Sequence, residues 1–217
     1  MTEPVKRRNY DTALRRANST ETRQRILGAA RRLFIAQGYR ATTIAAIATE
    51  ANVNADTVYE LAGRKPVLLR ELIEQSLSGT DHAVDGEQRA HVVAMRAESD
   101  PRVKLAIYAR AVRETHERMA PLFAALRDAS STEPESAQVW RDISERRAAN
   151  MRKLVADVRQ ADGREDDEYD MSISRAGDVA WAMNSPEMYL MLIGERGWQP
   201  DHYEQFLADG LYRLTLA

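Results

Sequence analysis

The stretch Ala41–Lys65, ATTIAAIATEANVNADTVYELAGRK, constrains this chain more than any other. Two short helical patterns stand so close together that only a tight turn can join them. In the first, Ile44, Ile47, Ala48 and Ala51 recur at i, i+3, i+4 and i+7, one apolar stripe along a helix. Of the two threonines before it, Thr42 is the expected N-cap, its hydroxyl accepting from free N–H groups of the first turn. Asn52 tolerates the left-handed backbone that ends many helices, and Val53 would fill the angle between the two. Asn54 caps the second helix. Val58 and Leu61 give it an inner face, and Thr57, Tyr59 and Glu60 point outward. Gly63 stops it, Arg64 and Lys65 form the link, and Pro66 suits the first position of a further helix. Such a helix–turn–helix either enters a DNA groove or lies buried in a helical bundle, and the hairpin alone does not decide between them.

The flanks do. Before the hairpin stands Glu21–Tyr39, with Ile26, Leu27, Ala30, Leu33 and Phe34 on one stripe and Gly38 as its stop. After it, Leu68, Leu69, Leu72 and Ile73 mark another helix. The Ile-Leu, Ala-Ala and Leu-Phe pairs, Gly38-Tyr39, Thr42-Thr43-Ile44, Ile47-Ala48, Val53, Thr57-Val58-Tyr59, and Lys65 with Leu68-Leu69 together resemble the amino-terminal domain of the TetR family of regulators. The resemblance covers about the first third of the chain. It implies an operator-binding surface made by Thr42, Thr43, Asn54, Ala55, Asp56, Thr57, Tyr59, Glu60, Arg64 and Lys65. Thr57 and Tyr59 would contact the operator, and Lys65 a backbone phosphate. Hydroxyls and lysine ammonium groups position a protein on phosphate, while a few outward side chains read base edges. The sequence departs from the family pattern at Asn52, where a glycine is common, at Leu61-Ala62, where His-Phe is usual, and at Ala45, where an arginine is frequent. Asp56 and Glu60 also put acids on a helix that should face phosphate, although an acid can accept from cytosine N4.

Composition agrees with an all-α chain: glycine, proline and aromatic residues are few among the 217 residues. The absence of cysteine excludes disulfides and thiol chemistry. No apolar run approaches the roughly 20 residues of a membrane span, and the start is polar and basic, so a soluble cytoplasmic protein is expected. The net charge of −2 conceals an asymmetry. Residues 1–65 carry 12 Lys/Arg against 6 Asp/Glu, and the rest 19 against 27. A basic head on an acidic body suits a protein whose first third alone touches DNA. The expected organisation is a basic arm over 1–18, a helix-turn-helix DNA-binding domain of three helices over 19–79, and a carboxy-terminal bundle for ligand binding and dimerisation over 80–217. The arm would be mobile when free and either follow phosphates or enter a minor groove, or else serve only solubility.

In the body, Asp100 and Pro101 start a long helix that Pro121 should bend or divide. A second long helix runs from about Pro134 to Gln160, with Arg141, Arg146, Arg147 and Arg152 as its solvated face. The acidic loop Ala161–Asp170 lacks the alternation of a calcium-binding loop. Ile173–Gly194 is helical but broken at Asn184–Glu187, where Ser185 and Pro186 signal a restart. The last helix, from Asp201, carries Tyr203, Phe206, Leu207, Gly210, Leu211 and Leu214 on one stripe. Met188–Ile193 is apolar on most sides and needs cover on most sides. A second copy of the chain could supply it, through Met188, Tyr189, Leu192, Phe206, Leu207, Gly210, Leu211 and Leu214, with Gly210 allowing close approach. The resemblance likewise implies a homodimer through the last two helices, reading two half-sites about 34–36 Å, or a multiple of that, apart.

The resemblance further implies a small effector inside the bundle. Tyr108, Met119, Trp140, Met151, Trp181, Met183 and Asn184 are the candidate lining, suited to an apolar or aromatic molecule. No cofactor or metal is indicated. The four histidines form no metal-binding pair, and no phosphate loop or nucleophile motif occurs. The function expected is therefore a ligand-responsive repressor acting as a homodimer on a palindromic operator. The alternatives are a helical dimer that has lost DNA binding and works through protein contacts, or a bundle enzyme.

Overall fold

A computed structural model of the chain describes residues 5–78, 86–165 and 168–217, with side chains from Ala17 onward. Every described element is helical, as the composition predicts. The basic side chains of the arm up to Arg16, His82, the expected boundary around Gly79, and the acidic pair Asp166-Asp167 fall outside the described positions.

Two compact units divide between Leu72 and Ile73, and each is taken by itself. The first begins with α1 (Val5–Ala41), so most of the expected arm has helical backbone. Once a helix is nucleated, each added residue gains a hydrogen bond without new nucleation, and Arg, Leu and Ala extend it readily. Gly38 interrupts α1 at φ 78, ψ 171, a conformation costly for any other residue. The chain then enters α2 (Ile44–Glu50), turns, and continues as α3 (Ala55–Ala62) and α4 (Lys65–Ser78). Ile26, Leu27, Phe34, Tyr39, Ile47, Val58, Leu68 and Leu69 are all at most 1% exposed and form the core of this unit. Phe34 stacks on Tyr39, ring centroids 5.5 Å apart. Leu61 is only half-buried; Ala62 takes the inner position expected of it.

The second unit contains a 3₁₀ turn (Gly86–Gln88), α5 (Ala90–Ala97), α6 (Pro101–Ser130), α7 (Pro134–Asp162), α8 (Ile173–Met183), α9 (Pro186–Tyr189) and α10 (Pro200–Leu216). Asp100 caps α6, accepting from Arg102 N at 2.8 Å and Val103 N at 3.4 Å. Pro121 does not divide α6, which runs on to Ser130. Proline removes one backbone hydrogen bond, but Met119, Ala120, Leu122 and Phe123 around it are buried, and their packing holds the helix together. The break at Asn184 stands as expected, with the Ser185 hydroxyl accepting from Met188 N at 3.0 Å. Beyond α9 the backbone widens into a π-helical stretch, Leu190–Glu195, that the pattern did not foretell.

Helices α7 and α8 approach closely at Gly177, where a Cβ would lie 2.6 Å from Arg152 Cγ and 3.1 Å from Arg152 Cα. The end of α10 is held by two arginines. Arg159 donates to the Thr215 carbonyl at 3.0 Å, and Arg164 to the Leu216 carbonyl at 2.6 Å. Both guanidinium groups lie against the ring of Tyr169, at 4.0 and 4.5 Å. The acidic loop is therefore anchored by a buried tyrosine.

Candidate nucleic-acid interface and bundle site

The outer surface of the hairpin is set by how its helices begin and end. Thr43, and not Thr42, is the N-cap of α2, accepting from Ala46 N at 3.1 Å. Thr42 is 0% exposed. Its hydroxyl donates to the Gly38 carbonyl at 2.8 Å and accepts from Gln37 Nε2 at 3.3 Å. Thr42 thus tethers the turn after α1 and leaves the outward surface. Asn52 takes φ 53, the left-handed conformation expected of it. Asn54 caps α3 twice over, its Oδ1 accepting from Thr57 N at 2.7 Å and from the Thr57 hydroxyl at 2.8 Å. The Thr57 hydroxyl is half-buried and keeps only its acceptor capacity for a partner outside.

Gly63 ends α3 at φ 79. Arg23 of α1 clamps that end, donating through Nε to the Leu61 carbonyl at 2.9 Å and through both terminal nitrogens to the Glu71 carboxylate. The sequence pattern left Arg23 unremarked; its place two helical turns before the buried Ala30 was the signal available. With both ends fixed, α3 presents Asp56, Tyr59 and Glu60 on one side, spaced i, i+3 and i+4. Tyr59 is 52% exposed, an unusual position for a large aromatic side chain. Thr43, Asn54 and Arg64 are also exposed, and Ala55 is half-buried. Lys65 is drawn inward. Its ammonium donates to the carbonyls of Tyr39 at 3.0 Å and Thr42 at 2.9 Å, and sits 4.1 Å from the centre of the Tyr39 ring. Arg32 pairs with Glu50 at 2.9 Å.

In the second unit, three of the expected lining residues meet. Asn184 Nδ2 donates to the Tyr108 hydroxyl at 2.5 Å, and that hydroxyl lies 3.3 Å from Met151 Sδ. Trp181 and Met183 pack against the same core, whereas Met119 and Trp140 do not join it. Trp140 lies instead on Phe123, centroids 4.7 Å apart. Residues beyond the expected set complete the cluster. His116 Nδ1 is 3.2 Å from the Tyr203 hydroxyl, and Tyr189 meets Tyr203 edge to face at 5.1 Å. Burial, and secondarily the charge of Arg147, pushes the His116 imidazole down to about 3, so it is neutral at pH 7. Burial raises the phenols of Tyr108 and Tyr203 above their ordinary value.

Arg147 was expected on a solvated face. It is half-buried, donating to the Trp181 carbonyl at 3.3 Å and to the Asn184 carbonyl. These are orphan acceptors at the end of α8, and a cation there also opposes the helix dipole. Its interval from Met151 on α7, one helical turn, places both on the inner side and could have revealed it.

The expected dimer surface divides into two sets. Tyr189, Leu207 and Leu211 are at most 7% exposed and belong to the protomer's own core. Gly210 gives close approach to Met183 of the same chain, whose Cε would lie 2.4 Å from an added Cβ. Met188, Leu192 and Leu214 are half-buried. Phe206 is exposed and stands against exposed Trp198, centroids 5.5 Å apart. Met191 and Val179 are 47% and 42% exposed.

A capped, clamped short helix that shows its polar side and one tyrosine outward defines a helix-turn-helix domain joined in sequence to a helical body. Residues 26–72 match the family model of bacterial regulatory proteins, tetR family. They are a TetR-family amino-terminal domain, and the chain as a whole has the fold of the TetR-family transcriptional regulators. Among solved structures, a TetR-family regulator from Syntrophomonas wolfei superposes with TM-score 0.68 at 15% identity, covering 90% of this chain and 95% of its own. A transcriptional regulator from Saccharomonospora viridis, in complex with choline, gives 0.65 at 20%, covering 89% and 96%. NalD, the secondary repressor of the MexAB-OprM multidrug efflux pump in Pseudomonas aeruginosa, gives 0.62 at 23%, covering 90% and 96%. No curated protein matches the chain in sequence. Among the described residues, no helix is long and apolar enough to cross a membrane, and no group of three acids or histidines is placed to hold a metal ion.

Proposed function

We propose that this chain is a sequence-specific DNA-binding repressor that works as a homodimer on a palindromic operator and responds to a small molecule held in its second unit. The observation that carries the reading is Tyr59. A large aromatic side chain is left outward on a helix fixed at both ends, beside the Asn54 cap and the exposed Arg64. Thr43, Asn54, Ala55, Asp56, Thr57, Tyr59, Glu60 and Arg64 make the contact surface in this reading. Lys65 supports it from within and has one ammonium donor left for phosphate. That NalD is a repressor and that the S. viridis protein holds choline are consistent with repression and effector binding, respectively.

The homodimer would form on exposed apolar side chains of α8, the π-helical stretch, the loop after it and α10: Val179, Met191, Trp198 and Phe206. Dimerisation brings two α3 helices to two half-sites, which a single small head would bind weakly. The exposed acids Asp56 and Glu60 favour a second reading, a dimer that no longer binds DNA and acts through protein contacts.

The test is titration of the protein with duplex taken from upstream of its own coding sequence, against random duplex, at several salt concentrations. Specific binding on the order of nanomolar, weakening steeply with salt and reduced by Tyr59→Ala, supports the regulator. Equal weak binding to both duplexes, with Tyr59→Ala unchanged, supports the second reading.

A further inference from the structure

The end of α8 holds polar groups that its own fold leaves incomplete. Trp181 Nε1 is buried with no hydrogen-bond partner, and so is Asn184 Oδ1. Asn184 is 8% exposed, so water cannot be assumed to serve it. Trp181 and Asn184 stand three residues apart, neighbours on one helical face. Between them comes Arg147, whose two hydrogen bonds to their carbonyls both use Nη2. Among the described residues, Nε and Nη1 of Arg147 make no hydrogen bond or ion pair. The guanidinium lies 5.4 Å from the centre of the Trp181 ring and 5.7 Å from that of Phe123.

The charge around these groups selects the ligand. No carboxylate hydrogen-bonds to Arg147, Trp181 or Asn184 among the described residues. Glu187, the acid whose field reaches Arg147, pairs with Arg127 at 3.2 Å. His116 is neutral. An organic cation would therefore meet an uncompensated guanidinium and no acid. A carboxylate would accept from a single free donor of Arg147, Nη1 or Nε, and from the indole N–H, a charge-assisted pairing that a neutral group matches only in part. Turning the Asn184 amide over lets its oxygen accept from Tyr108 and sets Nδ2 toward the same place, as one more donor. Phe123, Trp181, Tyr108 and Met151 supply apolar surface beside it.

We infer that the effector of this protein is a small organic acid whose carboxylate is held by Arg147, Trp181 and Asn184 and whose apolar body lies among the aromatic side chains. The inference rests on the sensor reading above and narrows it to one ligand class.

The experiment is calorimetric titration of the full chain with phenylacetate, octanoate, the amides of both, and benzyltrimethylammonium. The carboxylates should bind at least about tenfold more tightly than their amides, as charge-assisted hydrogen bonds require. Trp181→Phe keeps an aromatic ring but removes the N–H, and should weaken the carboxylates severalfold more than it weakens their amides. Arg147→Lys keeps the charge that faces the end of α8 but loses the separate Nε and Nη1 donors, and should erase most of the preference for carboxylate over amide. Amides equal to carboxylates, tighter binding of the quaternary cation, binding indifferent to both substitutions, or no binding of any probe up to its solubility limit would each overturn the inference. The sensor reading fails separately, and only if no molecule of any class releases the bound operator.

Discussion

Lys65 offers the sharpest test of how this head is built, because two roles for it make opposite predictions. As a phosphate ligand it would matter only to DNA. As an internal tie it would matter to the fold. Its ammonium donates to the carbonyls of Tyr39 and Thr42, at 3.0 and 2.9 Å, and lies 4.1 Å from the Tyr39 ring centre. These carbonyls belong to the turn between Gly38 and α2, where helix bonding is interrupted. Hydrogen bonds from charged groups contribute roughly 1.5–3 kcal/mol when fully buried, so about 1 kcal/mol each is reasonable for a half-buried lysine. The cation over the ring adds about 0.5–1 kcal/mol. Lys65→Met keeps the aliphatic stem and should cost the first unit ~2–3 kcal/mol, which for a unit of this size lowers its melting temperature by about 10 °C or more. The assay separates the two units without cutting the chain. Trp140, Trp181 and Trp198 all lie beyond Leu72, so tryptophan emission follows only the second unit, while circular dichroism follows both. The helical signal of the first unit should melt earlier while the emission transition stays in place. A first-unit melting temperature within about 2 °C of wild type, with the salt slope of DNA binding reduced by about 1, would refute the reasoning and make Lys65 a phosphate ligand whose internal bonds contribute nothing.

Two glycines of the second unit should behave differently. Gly177→Ala forces a Cβ against the backbone of Arg152 and should destabilise by about 2 kcal/mol in urea titrations followed by tryptophan emission. Gly210→Ala meets only the flexible end of Met183, and the helix propensity gained, about 0.5–1 kcal/mol, should leave it near neutral. His116 titrates near 6.5 when unfolded and at about 3 when folded. The unfolded chain binds the extra proton between those values, so stability is full above the upper one and falls with pH below it. Its share between pH 7 and pH 5 is about 2 kcal/mol, and denaturation of His116→Gln across that range should show a flatter profile. Asp56→Asn with Glu60→Gln should raise affinity for random duplex in low salt; if it lowers affinity for the specific operator as well, the acids read bases there.

The hairpin was legible from residue types alone because its requirements are local. A left-handed residue at Asn52, a side-chain cap at Asn54 and a positive φ at Gly63 each demand particular residues at particular places, and the sequence supplies them. The choice between Thr42 and Thr43 was not legible. Either hydroxyl can cap, and what decides is the Gly38 kink, which turns Thr42 into the core. The roles of charged residues in the body were hidden for the same reason. Arg146, Arg147 and Arg152 look alike along α7. Only Arg147 faces the end of α8, and that depends on a contact 34 to 37 residues away in sequence. The stripe of the last helix is ambiguous for a different reason. A periodic apolar face must be covered, but periodicity does not say by what. In α10 the stripe of Tyr203, Leu207 and Leu211 is buried in its own bundle, and Phe206 stands outside it. A surface for a second copy is therefore better sought among the apolar side chains that interrupt the core pattern. Trp198, Phe206 and Met191 are of that kind, and replacing Phe206 with a charged residue should separate the copies before it disturbs the fold.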